Sequence, residues 1–150
     1  MDPNVADEIR FQSVIYLKNH IDRYWRKTNK SYAVTKLQFN EFRTIVDDEK
    51  VIIRQNLLHA LNLPLPRPWI AMNAYAIGRV ARHDFPRFWP DLVTQLLTNL
   101  RYAFEAEEGS SEHWRIENVL TALAAVVKEL SSVKLGVAVS AFRHVYLPFT

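Results

Sequence analysis

Two apolar patterns recur along this chain, and their interleaving restricts the fold more than any other feature. Leu57-Leu58-x-x-Leu61 returns as Leu96-Leu97-x-x-Leu100, an offset of 39 residues. The stripe Ile70, Asn73, Ala74, Ile77 and Ala81 overlays Ile116, Val119, Leu120, Leu123 and Val127 at an offset of 46 residues. Spacings of three and four place each set on one face of a helix. Two helix families recurring after about 40–47 residues have the period of an array of stacked helix pairs. One such pair cannot close a core alone, so its second face must be buried by a neighbour. A compact helical bundle is the alternative, and the periodicity favours the array.

Stop signals divide the chain into helical segments. The first spans about residues 5–27, with Val14, Leu17, Ile21, Tyr24 and Trp25 on one side and Gln12, Tyr16, Asn19, Arg23 and Arg26 on the other. The second starts near Asp47 as a candidate N-cap and ends at Pro64, Pro66 and Pro68. The third starts near Pro68, where a missing N–H costs nothing, and ends before Pro86. The fourth starts at Trp89-Pro90, the fifth spans about residues 112–131, and a sixth is expected over 134–146. Residues 29–38 and 105–112 read as loops, the latter as a solvated turn. Ala71, Ala74, Gly78 and Ala81 are small where a stacked helix needs close approach. Gly78 costs a helix about 1 kcal/mol against alanine, which implies a packing reason.

Composition agrees with an all-α chain. Only three glycines occur in 150 residues, too few for the turns of an all-β fold. Hydrophobic residues at 49% and charged residues at 23% indicate a globular chain. Without cysteine, disulfides and thiolate metal sites are excluded. The run Val119–Val127 is far too short to span a bilayer, so membrane insertion is not expected. The Met1-Asp2-Pro3-Asn4 start lacks an apolar leader, which points to cytosol or nucleus. A net charge of +3 with acids and bases interspersed argues only weakly for nucleic acid.

The search for chemistry returns structural readings. No two of His20, His59, His83, His113 and His144 share a helix face at metal-ligand spacing, so no metal or cofactor is expected. His83-Asp84 could be an acid–base pair, but neighbours on a helix diverge by about 100°, and a helix-end role is favoured. Asp47-Asp48-Glu49 suits a helix start, where the dipole favours negative charge. No phosphate loop or nucleophile motif is present, so an enzyme is not expected. Arg23-Tyr24-Trp25-Arg26-Lys27 could stack on bases, yet Tyr24 and Trp25 fall on the apolar side, and burial between helices is favoured. Lys18 lies within the apolar arc, either as a snorkelling stem or as a polar contact between helices.

Several motifs carry a family resemblance. The run Arg10-Phe11-x-x-Val14-Ile15-Tyr16-Leu17-Lys18-Asn19-x-Ile21-x-Arg23-Tyr24-Trp25-Arg26 resembles the N-terminal region of the importin-β (karyopherin-β) superfamily. Glu49-Lys50-x-x-Ile53-Arg54-x-x-Leu57-Leu58 is similar to the outer helix of that family's second HEAT repeat. Asn73-Ala74-x-x-Ile77-Gly78-Arg79-Val80-Ala81-Arg82-x-Asp84-Phe85-Pro86-x-x-Trp89-Pro90-Asp91-Leu92 resembles an inner helix, turn and next outer helix. Ile21-Asp22-Arg23-Tyr24-Trp25-Arg26 and Lys128-Glu129-Leu130-Ser131-Ser132 look most like the importin-eleven or fungal Kap120 branch.

The resemblance implies an all-α superhelix of about three HEAT repeats over residues 1–150. The first and last repeats are expected to be incomplete, and the chain to be a fragment, because the outer helix that opens the family's first repeat has no counterpart. It implies a nuclear transport receptor that shuttles between nucleus and cytoplasm. Its partners would be Ran in the GTP state on the concave, inner-helix surface, with cargo proteins and nucleoporins in the complete receptor. By that resemblance the Ran-facing residues are Tyr16, Asn19, Arg23, Met72, Arg79, Arg82, Asn118 and Lys128, each expected opposite a core stripe. A HEAT scaffold with no Ran role is the alternative. Direct nucleic-acid binding is not expected, since the exposed faces are mixed and not dominated by arginine and lysine.

Overall fold

The computed structural model describes residues 6–26 and 45–132. Within them lie α1 (Asp7–Tyr24), α2 (Asp47–His59), α3 (Arg67–Asp84), α4 (Leu92–Ala106) and α5 (Trp114–Ser132), with a 3-10 helix at Ala60–Asn62. The described residues contain no strand. The expected sixth helix and the loop at 29–38 lie outside the described residues.

Each boundary has a local cause. Asp47 is the first residue of α2, not its cap; Val46 precedes it in extended conformation, and Asp47, Asp48 and Glu49 fill the acidic first turn. Pro68 sits in the first turn of α3, whose last turn carries Arg82 and His83, the sign the helix dipole favours there. α4 starts two residues later than Pro90 suggests, after a turn that buries Trp89. Gly109 adopts a φ of 76°, which a residue without a Cβ reaches freely, and reverses the chain between α4 and α5.

The helices form two layers. Arg54 in the middle of α2 bonds Asp84 at the end of α3, and Leu57, nearer the end of α2, accepts from Asn73 in the first half of α3, so α2 and α3 run antiparallel. α1 and α3 run parallel, since Lys18 lies over Tyr75, Asp22 meets Arg79 and Trp25 meets Asp84. α3 and α5 run parallel too, with Gly78 against Ala125 and Arg82 against Glu129. α1, α3 and α5 therefore make one row with α3 in the middle, backed by α2 and α4, and α3–α5 is the most extensive contact. This is the stacked arrangement that the recurrence predicts, an all-α HEAT-like solenoid segment.

The core joins Ile21 and Trp25, Leu57 and Leu61, Ala74, Ile77, Val80 and Ala81, Leu92 and Leu96, and Val119, Ala122 and Val126. Burying each large member is worth roughly 1.5–3 kcal/mol. Gly78 has the packing reason its cost implies, because a Cβ there would stand 3.0 Å from the Ala125 carbonyl oxygen. Ala74 and Ala81 are buried as expected, whereas Ala71 is exposed.

The face of α5 differs from its predicted stripe. Leu120 and Val127 are 48% and 65% exposed, and the buried face is Asn118, Val119, Ala122 and Val126. Asn73, Ala74, Ile77 and Ala81 therefore overlay Asn118, Val119, Ala122 and Val126, a shift of 45 residues and not 46. The polar residue fixes this alignment. Asn73 Nδ2 donates to the Leu57 carbonyl at 3.0 Å, and Asn118 Nδ2 donates to the carbonyls of Leu61 and Leu63 at 3.2 Å each. Asn73 thus ties α3 to the last turn of α2, and Asn118 ties α5 to the 3-10 turn that follows α2 and to Leu63 just beyond it.

Candidate functional site: the inner-helix face

On α1, Tyr16, Asn19 and Arg23 are all exposed, as their helical spacing predicts. Tyr16 stacks on His20 with centroids 5.7 Å apart, and His20 meets Tyr24 at 4.6 Å. An aromatic column thus runs along the helix beside Asn19 and Arg23. Lys18 turns the other way, its ammonium 4.8 Å from the centre of the Tyr75 ring on α3. That is the polar contact between helices, one of the two readings of its place in the apolar arc.

The remaining predicted residues scatter. Lys128 is exposed on α5. Met72 is half-buried in an apolar groove of about 480 Å³ lined also by Val14, Leu17, Leu57 and Leu65. Asn118 is buried against the turn that follows α2, and so does not present its side chain on an exposed face. Arg79 and Arg82 are engaged with carboxylates of this same chain. Arg79 Nε donates to Asp22 at 2.8 Å and its Nη1 approaches Glu129 at 3.6 Å, while Arg82 reaches Glu129 at 3.4 Å. The Tyr75 hydroxyl donates to the second Asp22 oxygen at 3.2 Å.

Burial and these charges set the local titrations. Burial alone would lower the Arg79 guanidinium, but the hydrogen bond and charge of Asp22 lift it above its ordinary value. Burial and the neighbouring Asp22 carboxylate raise the Tyr75 phenol. His83 moves down, first through burial and then through the positive charges of Arg79, Arg26 and Arg82.

Asp84 is a structural node. It is only 5% exposed and accepts from Trp25 Nε1 at 3.0 Å and from Arg54 at 2.7 Å, while its backbone oxygen accepts from the N–H groups of Phe88 and Trp89. The carboxylate therefore ties α1, α2 and the end of α3 together, the helix-end role preferred over acid–base chemistry. Glu107 departs from the solvated-turn reading. It is buried, and one carboxylate oxygen accepts the Arg115 N–H at 2.7 Å in the first turn of α5. Among the described residues no group of histidine, aspartate and glutamate could hold a metal ion, and no helix is long and apolar enough to cross a membrane.

The geometry is that of a helical array: α1, α3 and α5 form a row of parallel helices that carries aromatic, amide and cationic groups. Residues 1–62 match the family described as the importin-beta N-terminal domain. The chain is 31% identical over 129 residues to importin beta-like protein KAP120 of Saccharomyces cerevisiae, which covers 86% of this chain and 11% of that protein. It is 32% identical over 94 residues to importin-11 of Homo sapiens, covering 62% of this chain and 8% of the relative. Exportin-2 of Pagrus major matches at 30% identity over 93 residues, again 62% of this chain and 8% of the relative. No solved structure matches. This chain belongs to the importin-β superfamily, and its likeness to KAP120 and importin-11 supports that branch. It spans about a tenth of the length of these curated relatives.

Asp22, Tyr75 and Glu129 went unread in the sequence because helical spacing describes one helix at a time. The available signal was the opposite sign of Asp22 and Glu129 to Arg79 across neighbouring inner helices.

Proposed function

We propose that this chain is the N-terminal part of a nuclear transport receptor that docks Ran in its GTP state on the inner-helix face. Such a receptor would move between nucleus and cytoplasm and carry cargo and nucleoporin contacts in its complete form. Membership of a family of importins and exportins supports this reading. The observation that carries it at the level of residues is the exposed stripe of Tyr16, Asn19 and Arg23 on the first inner helix. These side chains have aromatic, amide and guanidinium heads, are spaced along one helix face, and hold up none of the described core. Lys128 extends the same polar character to α5.

A pull-down of this chain against Ran loaded with GTP or with GDP tests the reading. Retention of the GTP form, reduced by the Asn19→Ala, Arg23→Ala double variant with helicity unchanged, is the expected outcome. Equal retention of both forms, or of neither, would leave a HEAT scaffold without a Ran role as the better description.

A further inference from the structure

The inner row carries a second cationic feature, separate from the exposed stripe on α1. Arg79 and Arg82 lie one helical turn apart in the second half of α3. Their partners within the chain are unequal. Asp22 holds Arg79 through a short 2.8 Å bond, and its other oxygen is occupied by Tyr75. Glu129 meets Arg79 at 3.6 Å and Arg82 at 3.4 Å, and both contacts fall on the same oxygen, Oε2. Neither is the two-pronged pairing that makes a guanidinium–carboxylate bond strong.

Nor is the Glu129 carboxylate the sole tie between the helices, although its stem packs beside Gly78. α3 and α5 already touch backbone to backbone, since even a Cβ on Gly78 would crowd the Ala125 carbonyl. Glu129 can therefore let go without parting them. What it does is occupy two arginines.

We propose that Arg79 and Arg82 form a docking site for an acidic polypeptide segment, and that Glu129 is the chain's own stand-in for that segment's carboxylate. A partner glutamate or aspartate would displace Glu129 and pair with Arg82 or Arg79 through both oxygens. The charge pattern selects a polypeptide over a nucleic acid. Asp22, Asp84 and Glu129 interrupt the arginines, and a phosphate backbone needs a continuous basic track. Single carboxylates on a flexible chain can reach the arginines between these acids. The site does not depend on what the exposed stripe of α1 binds.

Fluorescence anisotropy with a labelled octaglutamate peptide, titrated with the 150-residue chain at low salt, tests the proposal. Glu129→Gln should tighten binding about fivefold, the upper end for release of a partly exposed ion pair. Arg82→Gln should weaken binding by a similar factor, because Arg82 is the more exposed of the two and has no tie to α1. Circular dichroism should show native helicity in both variants. Unchanged affinity in a folded Glu129→Gln variant would overturn the proposal, as would equal binding of a neutral peptide of the same length. An oligonucleotide of matched charge that binds more tightly, with the same dependence on Glu129 and Arg82, would overturn the choice of partner. Should Arg82→Gln fail to fold, Glu129→Gln still decides the matter.

Discussion

α3 meets its two parallel neighbours through different balances of chemistry. Against α5 it offers a glycine, and the helices approach until backbone limits them, with Glu129 pairing Arg79 and Arg82 at the edge of that contact. Against α1 it offers Tyr75, Arg79 and Asp84, which reach out to Lys18, Asp22 and Trp25. The close packing at Gly78 is steric and short-ranged, and salt does not screen it. The contact with α1 is built from charge, hydrogen bonds and one large aromatic, so it spans a wider gap and responds to the solvent. One helix thus holds one neighbour mainly by close packing and the other mainly by polar contacts.

The largest way to break the α1 side is Trp25→Ala. It empties a fully buried site and strips a donor from Asp84, and should cost about 3–5 kcal/mol, read as a fall in the denaturant midpoint. Gly78→Ala attacks the α5 side. The added methyl would sit 3.0 Å from a backbone oxygen that cannot rotate away, so a loss of about 1–3 kcal/mol is expected in place of the usual gain from replacing a helical glycine. A gain in melting temperature would show that α3 and α5 have room to part.

Smaller effects separate the two contacts by their response to the solvent. Asp22→Asn should cost at most about 1 kcal/mol, because the pair with Arg79 is a quarter exposed. Its cost should shrink in 1 M salt, while that of Gly78→Ala should not change. Hydrogen exchange should place the loss from Asp22→Asn in α1. The smallest effect concerns pH. His83 titrates below its ordinary value of 6.5, so the unfolded chain takes up the proton first as pH falls. His83 therefore contributes stability that is present above pH 6.5 and is lost as pH drops through the folded value. His83→Gln should flatten that part of the stability–pH curve and leave it unaltered above neutrality.

The comparison also explains which features were legible in the sequence. The burial of Trp25 and the close approach at Gly78 follow from helical spacing and from the energetic cost of a helical glycine, both local properties. The face of α5 does not. Leu120 and Val127 are as apolar as Val119 and Val126, and a hydropathy pattern cannot tell an apolar residue facing the described core from one facing away. Asn118 reads as a surface residue until its carbonyl partners are known, and those belong to the turn after α2, more than fifty residues away. Arg79 and Arg82 read as free for the same reason, since their carboxylates come from α1 and α5. The exposure of Tyr16, Asn19 and Arg23 was legible because nothing from another described element reaches them.

The bonds from Asn118 to the turn after α2 have a consequence for how the array comes apart. The turn that follows a helix is ordinarily an early place to fray, and here the carbonyls of Leu61, in the 3-10 turn after α2, and of Leu63, just beyond it, are gripped by an amide from the following helix pair. That turn cannot open without α5 losing partners for a buried amide. Neighbouring units are thereby coupled in a nearest-neighbour sense, so their unfolding merges into one transition where independent units would melt in steps.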